Sequence, residues 1–211
     1  MQKLPKKKTF FTVGPSQIFP TVSLHIEKAV KNNVLSMNHR SQEFKDLYKS
    51  TVSGLRKLLK VPGDYEIVFL SSALEAMERI SMAMSHNDSF HILTGFFGKN
   101  WMGIAKDLGK SPENFKFFDW EKNLVSDTGF ENIKIPVKSE LVCITQNDTS
   151  VGFSVPMGEI YKLKQKNPKK LFALDVVSSA PYVDIEYKYL DAVFFSVQKG
   201  FGLPAGLGVL I

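Results

Sequence analysis

The sequence predicts an α/β fold, a mostly parallel seven-stranded sheet with helices on both faces. Short β-branched and aromatic runs recur along the chain, and longer amphipathic stretches separate them. One run, Ala192 to Val197, is almost continuously apolar, as expected of a strand covered on both sides.

Taken in order, the chain opens on a basic run, "KLPKKK", read as solvated surface. "TFFTVGPSQIF" follows, in which Gly14 and Pro15 arrive before the apolar core of a signal peptide can develop. "TVSLHIEKAVKNN" and "SQEFKDLYKSTVSGLRKLLKV" have helical periodicity and precede the sheet. Residues 1–60 are therefore assigned as an N-terminal arm with helices, and 61–211 as the sheet domain. Strands are predicted at 66–70, 89–93, 115–118, 141–145, 171–175, 192–196 and 207–211, and helices over 73–86, 98–109 and 156–166. About ten residues without a helix join the last two strands, too few for a parallel crossover, so that pair is expected to be antiparallel. The chain stops at Ile211 inside an apolar run, which suggests the N-terminal part of a longer protein.

The composition is that of an ordinary globular protein, with 44% hydrophobic and 23% charged residues in 211. The 27 Lys and Arg exceed the 21 Asp and Glu, giving +6. Part of the excess lies in "KLKQKNPKK", which lacks the interleaved aromatics of a single-strand nucleic-acid platform and is also read as solvated surface. No nucleic-acid partner is expected. No stretch approaches 18 apolar residues, so no membrane span is expected. The single cysteine, Cys143 in "LVCIT", reads as a small core residue of a cytoplasmic protein. The four histidines show no metal-ligand spacing, and no metal is predicted.

In parallel sheets, ligands gather at the C-terminal ends of the strands. Those ends carry "SSALEAME", "TGFFGKNW", "QNDTSVG", Asp175 in "ALDVVSSAP", and Gln198 with Lys199. A lysine after so apolar a strand reads from the residues alone as a surface loop lysine or as one held in a crevice, where its amine can act as a nucleophile. Pyridoxal phosphate needs such a lysine together with an acidic partner for its ring nitrogen. "SSAL" also carries the S-x-x-E pattern of a capping box between Ser72 and Glu75.

"FTVGPSQIFP", "NHRSQEF", "NDTSVGF", "LDVVSS" and "SVQKGFGLPAGL", in that order over almost the whole chain, resemble the class V aminotransferases of pyridoxal-phosphate fold type I. The resemblance implies that 61–211 is the large, cofactor-binding domain, incomplete at its C-terminal end, with a small C-terminal domain absent. It implies pyridoxal 5'-phosphate as cofactor, Lys199 as the Schiff-base lysine and Asp175 as partner of the ring nitrogen. Phe97 would stack on the ring, where tryptophan is commoner. Thr149 would bond the phenolic oxygen, and Ser72, Ala73 and Gln198 would lie at the phosphate. His39 and Arg40 would reach the substrate, in the phosphoserine branch from the partner subunit of a homodimer. The expected substrates are small amino and oxo acids. "HRSQEF" and the opening "GP" segment lean toward transamination of phosphoserine with 2-oxoglutarate in serine biosynthesis. "LDVVSS" is nearer the alanine–glyoxylate and serine–pyruvate branch, and a non-catalytic cofactor-binding relative is a further alternative. From the residues alone, Asp175 could equally cap a turn, Thr149 could organise "NDTSVG", and Arg40 could pair with Glu43.

Overall fold

The computed structural model describes residues 9–119, 121, 122 and 124–211. The basic run at 3–8 lies outside the described residues. The main sheet contains β1 (Val68–Leu70), β2 (Ser89–Leu93), β3 (Glu113–Lys116), β4 (Leu141–Thr145), β5 (Leu171–Asp175), β6 (Ala192–Ser196) and β7 (Gly208–Leu210). Its order is β1-β7-β6-β5-β4-β2-β3. All neighbouring pairs are parallel except the two made by β7, which runs antiparallel to both β1 and β6. The short link before β7 accounts for that reversal.

Successive strand residues point to opposite faces, and here both faces are apolar. Val142, Ile144, Phe172, Leu174, Val193 and Phe195 pack on one side with α5 (Met157–Lys166) and the end of α2 (Gln42–Leu59). Leu141, Cys143, Ala173, Ala192 and Phe194 face α3 (Ala73–Ala83) and α4 (Phe96–Asp107) on the other. The two alanines leave room for Trp101, which is fully buried and edge-on to Phe194 at 5.1 Å. Its indole N–H donates to the Met77 carbonyl and the Ser81 hydroxyl, so the largest core side chain buries no unmet donor.

Before the sheet come α1 (Val22–Lys31) and α2. The Ser41 hydroxyl accepts from Phe44 N–H and starts α2, while Lys60, in the left-handed region at φ 55°, ends it. Arg56 donates to the carbonyls of Pro62 and Tyr65, which fastens this helix to the entry of β1.

Two expectations change. The run 115–118 does not form one strand. β3 ends at Lys116, and Phe118–Asp119 pairs instead with Leu124–Val125. Phe117 and Phe118 turn into an aromatic cluster with Phe130 and Phe153, where both are buried. The basic run 162–170 is not simply solvated. The side chain of Lys164 is only 12% exposed and bonds Asp191 at 2.8 Å, and Lys170 donates to the carbonyls of Pro136, Val137 and Ser139. Lys164 ties α5 to the loop before β6, and Lys170 ties the start of β5 to the segment 136–139. Among the described residues, no helix is long and apolar enough to cross a membrane, and no three His, Cys, Asp or Glu gather as metal ligands.

His91 makes stability depend on pH. It lies buried on β2 between the Ser89 hydroxyl, at 3.0 Å, and the edge of Trp101, and burial pushes its pKa from 6.5 down to about 3. The unfolded chain therefore binds a proton that the folded chain refuses. The stability contribution is complete above pH 6.5 and is lost as pH falls toward 3, with a limiting slope of about 1.4 kcal/mol per pH unit. Urea unfolding of wild type and His91→Leu between pH 7 and 4.5 should give the shallower acid limb in the variant, whatever its stability at pH 7. Parallel limbs would contradict this assignment.

Candidate active site at the strand ends

A cavity of about 350 Å³ opens at the C-terminal ends of β4, β5 and β6 and at the N-termini of α3 and α4. Its lining includes Ser72, Ala73, Phe97, Thr149, Asp175, Gln198 and Lys199, the full predicted cofactor set. His39 and Arg40 are not among the lining residues. They lie in the exposed turn before α2, and the Arg40 side chain has no ion pair among the described residues, Glu43 included.

Lys199 follows β6 by three residues, where its backbone is pinned. The Ser16 hydroxyl donates to its carbonyl at 2.7 Å, Gly202 N–H donates to the same oxygen, and Ser16 N–H holds the Gln198 carbonyl. Its stem runs against Gly14, where a Cβ would stand 3.0 Å from Lys199 Cε. The arm thus backs the lysine closely enough to need glycine there. The amine reaches into the cavity, 5.3 Å from the centre of the Phe97 ring. A long apolar strand can end in lysine here because the crevice takes the stem and the cavity takes the charge.

Asp175 ends β5 and is buried. One carboxylate oxygen accepts Val177 N–H at 2.8 Å, and the other accepts the Thr145 hydroxyl at 3.3 Å. Burial raises its pKa to about 6, opposed by these two bonds and by the positive charge of Lys199, while Asp148 adds to the rise. The turn-capping role open from sequence is therefore real, and the same carboxylate also faces the cavity. At neutral pH it is mostly ionised, as a partner for a cationic ring nitrogen must be.

Thr149 does not organise its turn. Asp148 does, accepting from Ser150 N–H and hydroxyl with one oxygen and from Phe97 N–H at 3.0 Å with the other. This caps α4 and explains why the helix starts at Phe96, earlier than its periodicity suggests. It also leaves the Thr149 hydroxyl without a partner among the described residues, on the cavity wall. Asp148 went unassigned in the sequence, because the helix it caps starts 52 residues earlier in the chain.

The capping box at α3 forms only in half. Ser72 Oγ accepts from Glu75 N–H at 3.1 Å, but the Glu75 carboxylate passes over Ser72 and takes the N–H and hydroxyl of Ser71. The N–H groups of Ser72 and Leu74 have no acceptor among the described residues. Free N–H groups at a helix start suit an anion. Nearby, the buried Gln198 Oε1 also lacks a partner. Amine, carboxylate, aromatic face, hydroxyl and anion-binding helix end converge on one space, so the residues present fit a flat, cationic-nitrogen ring bearing an anionic group. Asn100, Asn147, Ser178 and Ser196 complete its polar lining and were not singled out in the sequence.

A parallel sheet with one reversed strand and this cavity at its strand ends define the large domain of a fold type I transferase. The chain matches the aminotransferase class-V family over residues 9–211 and belongs to it. Its fold is similar to that of a phosphoserine aminotransferase from Cytophaga hutchinsonii, with a TM-score of 0.89 and 38% identity over 96% of this chain and 55% of that one. A phosphoserine aminotransferase of Rhodococcus opacus is 25% identical over 203 residues, 95% of this chain and 51% of the relative. An alanine–glyoxylate aminotransferase from Nostoc shares the fold at a TM-score of 0.73 and 19% identity, over all of this chain and 55% of that one. The chain spans about half the length of the curated relatives it matches.

Proposed function

We propose that the full-length protein is a pyridoxal-phosphate-dependent aminotransferase exchanging the amino group between phosphoserine and 2-oxoglutarate. The observation that carries this reading is the convergence of Lys199, Asp175, Phe97 and Thr149 on one cavity beside the free N–H groups of α3. When bound, pyridoxal phosphate supplies a carbonyl that combines with amines and a ring that accepts the electron pair released at the substrate carbon. Lys199 Nζ serves first as the attachment point and then as the base that moves a proton at the substrate α-carbon. Asp175 would hold positive charge at the ring nitrogen, and Thr149 would donate to the phenolic oxygen. Phe97 covers one ring face and keeps water from it. Ser72 and Gln198 would hold the phosphate end, with Ala73 beside them, its own N–H already given to Ser196 Oγ.

Further parts of this reading are a homodimer and a cytoplasmic setting. The arm and α1 expose Phe11, Val13, Leu24, Ile26 and Val30, apolar side chains that a second copy would bury in part. His39 and Arg40 lie in the same N-terminal region, where they could serve the partner subunit's cavity. The lone, unpaired Cys143 suits a reducing compartment.

Arg40 separates the phosphoserine reading from the alanine–glyoxylate one. Losing the guanidinium that binds a phosphate costs about 2–5 kcal/mol, or roughly thirty- to several-thousandfold in specificity. Arg40→Ala should therefore raise KM for phosphoserine sharply and change that for glutamate much less. Steady-state kinetics on a panel of amino donors tests this. Small, equal effects on every donor would remove the phosphoserine assignment.

A further inference from the structure

Lys199 stands in a turn beyond the last ladder residue of β6, so the sheet does not fix its direction. The N-terminal arm fixes it instead. Ser16 N–H donates to the Gln198 carbonyl at 2.8 Å, and the Ser16 hydroxyl donates to the Lys199 carbonyl at 2.7 Å. Each peptide unit is planar, and these two carbonyls belong to the planes that flank the Lys199 Cα. One serine therefore holds both planes, and with them the direction in which the Cα–Cβ bond leaves the chain.

The arm meets the lysine turn at two further points. Phe19 N–H donates to the Gly202 carbonyl at 3.0 Å, and a Cβ on Gly202 would fall 2.7 Å from the Phe19 ring. At the other end, a Cβ on Gly14 would stand 3.0 Å from both Cγ and Cε of Lys199. Gly14 is not among the glycines with positive φ, so its missing side chain answers to the lysine stem and not to its own backbone. Residues 14–19 thus lie along 198–202 and close on the stem. Without that wall, a flexible four-carbon stem would scatter its amine over many rotamers.

We propose that Ser16 is a positioning residue for Lys199, through which the arm aims the amine into the cavity. Reacting groups must be held closely, and a misplacement of about 1 Å can cost about a hundredfold in rate. The assignment rests on the cofactor reading of the cavity, in which the uncharged Lys199 Nζ adds to the aldehyde carbon of pyridoxal phosphate. A C=N bond forms there, and the aldehyde oxygen leaves as water with the two hydrogens of the amine. Ser16 does not line the cavity, and it acts only through the backbone of Lys199.

The test sets pyridoxal phosphate against pyridoxamine phosphate, which carries an amine in place of the aldehyde and cannot join a lysine. In the full-length protein, Ser16→Ala removes the hydroxyl but keeps the backbone N–H bonds of residues 16 and 19, so the arm stays in place. The rate of attachment to Lys199, followed by borohydride trapping at timed intervals, should fall by about tenfold, the worth of one hydrogen bond. Affinity for pyridoxamine phosphate, read by absorbance titration, should stay unchanged. Ser16→Thr keeps the hydroxyl and should restore the rate. Gly14→Ala, which crowds the stem, should slow attachment by up to about a hundredfold. An unchanged attachment rate in Ser16→Ala, or equal losses for both ligands, would overturn the positioning role while leaving the cofactor reading intact. Wild-type protein that binds neither ligand would overturn the cofactor reading and this proposal with it.

Discussion

Full-length protein carrying Lys199→Ala is expected to bind pyridoxal phosphate and to lose transamination. The amine has two tasks, attachment and proton movement, and general acid–base groups alone contribute about 10²–10⁴-fold. Removing both tasks at once should exceed that range. Binding should persist in part because Phe97, Thr149 and the free amides of α3 do not depend on the lysine. Nor should folding suffer, since the backbone at 199 is pinned by Ser16 and Gly202 through its carbonyl and not through its side chain. Added small amines should restore some turnover by standing in for the missing base. Residual activity within tenfold of wild type would contradict the role of Lys199.

Asp175→Asn is expected to lower turnover by at least about a hundredfold, as when an electrostatic or acid–base group is removed. The substitution keeps size, and its amide oxygen can still accept Val177 N–H. A second readout separates electrostatics from structural damage. The folded pKa of about 6 lies above the 3.8 usual for an aspartate, so the contribution of Asp175 to stability is complete below 3.8 and is lost as pH rises through 6. Above pH 6 the cofactor-free protein holds a buried charge that its two hydrogen bonds and Lys199 offset only in part, and Asp175→Asn should make it more resistant to denaturant. A variant both less active and more stable at pH 8 identifies a carboxylate held for function. Full activity would leave it only the turn-capping role.

Much of the architecture was legible because burial on both faces writes long apolar strands. "LVCIT", "LFALD" and "AVFFS" match their strands residue for residue. The run at 115–118 misled because apolar residues also signal an aromatic cluster beyond a strand end. At the site, Lys199, Asp175 and Thr149 could be picked out because each lies at a strand end or within four residues after it. Asp148, Ser16 and Gly14 could not be, because their roles exist only once distant segments meet: a capping carboxylate across 51 residues, a hydroxyl–carbonyl contact across 183, and a missing Cβ beside a lysine stem. The half-formed capping box shows the same limit. The S-x-x-E pattern is present, but the turn geometry hands Glu75 to Ser71 and leaves two amides free.

The central claim is that this cavity binds pyridoxal phosphate through Lys199. Treating the full-length protein, loaded with the cofactor, with borohydride and mapping the modified peptide by mass spectrometry tests it most directly. A single acid-stable adduct on Lys199 Nζ, absent from Lys199→Ala, is the predicted result. An adduct on any other lysine, or none on a protein that has taken up the cofactor, would contradict it.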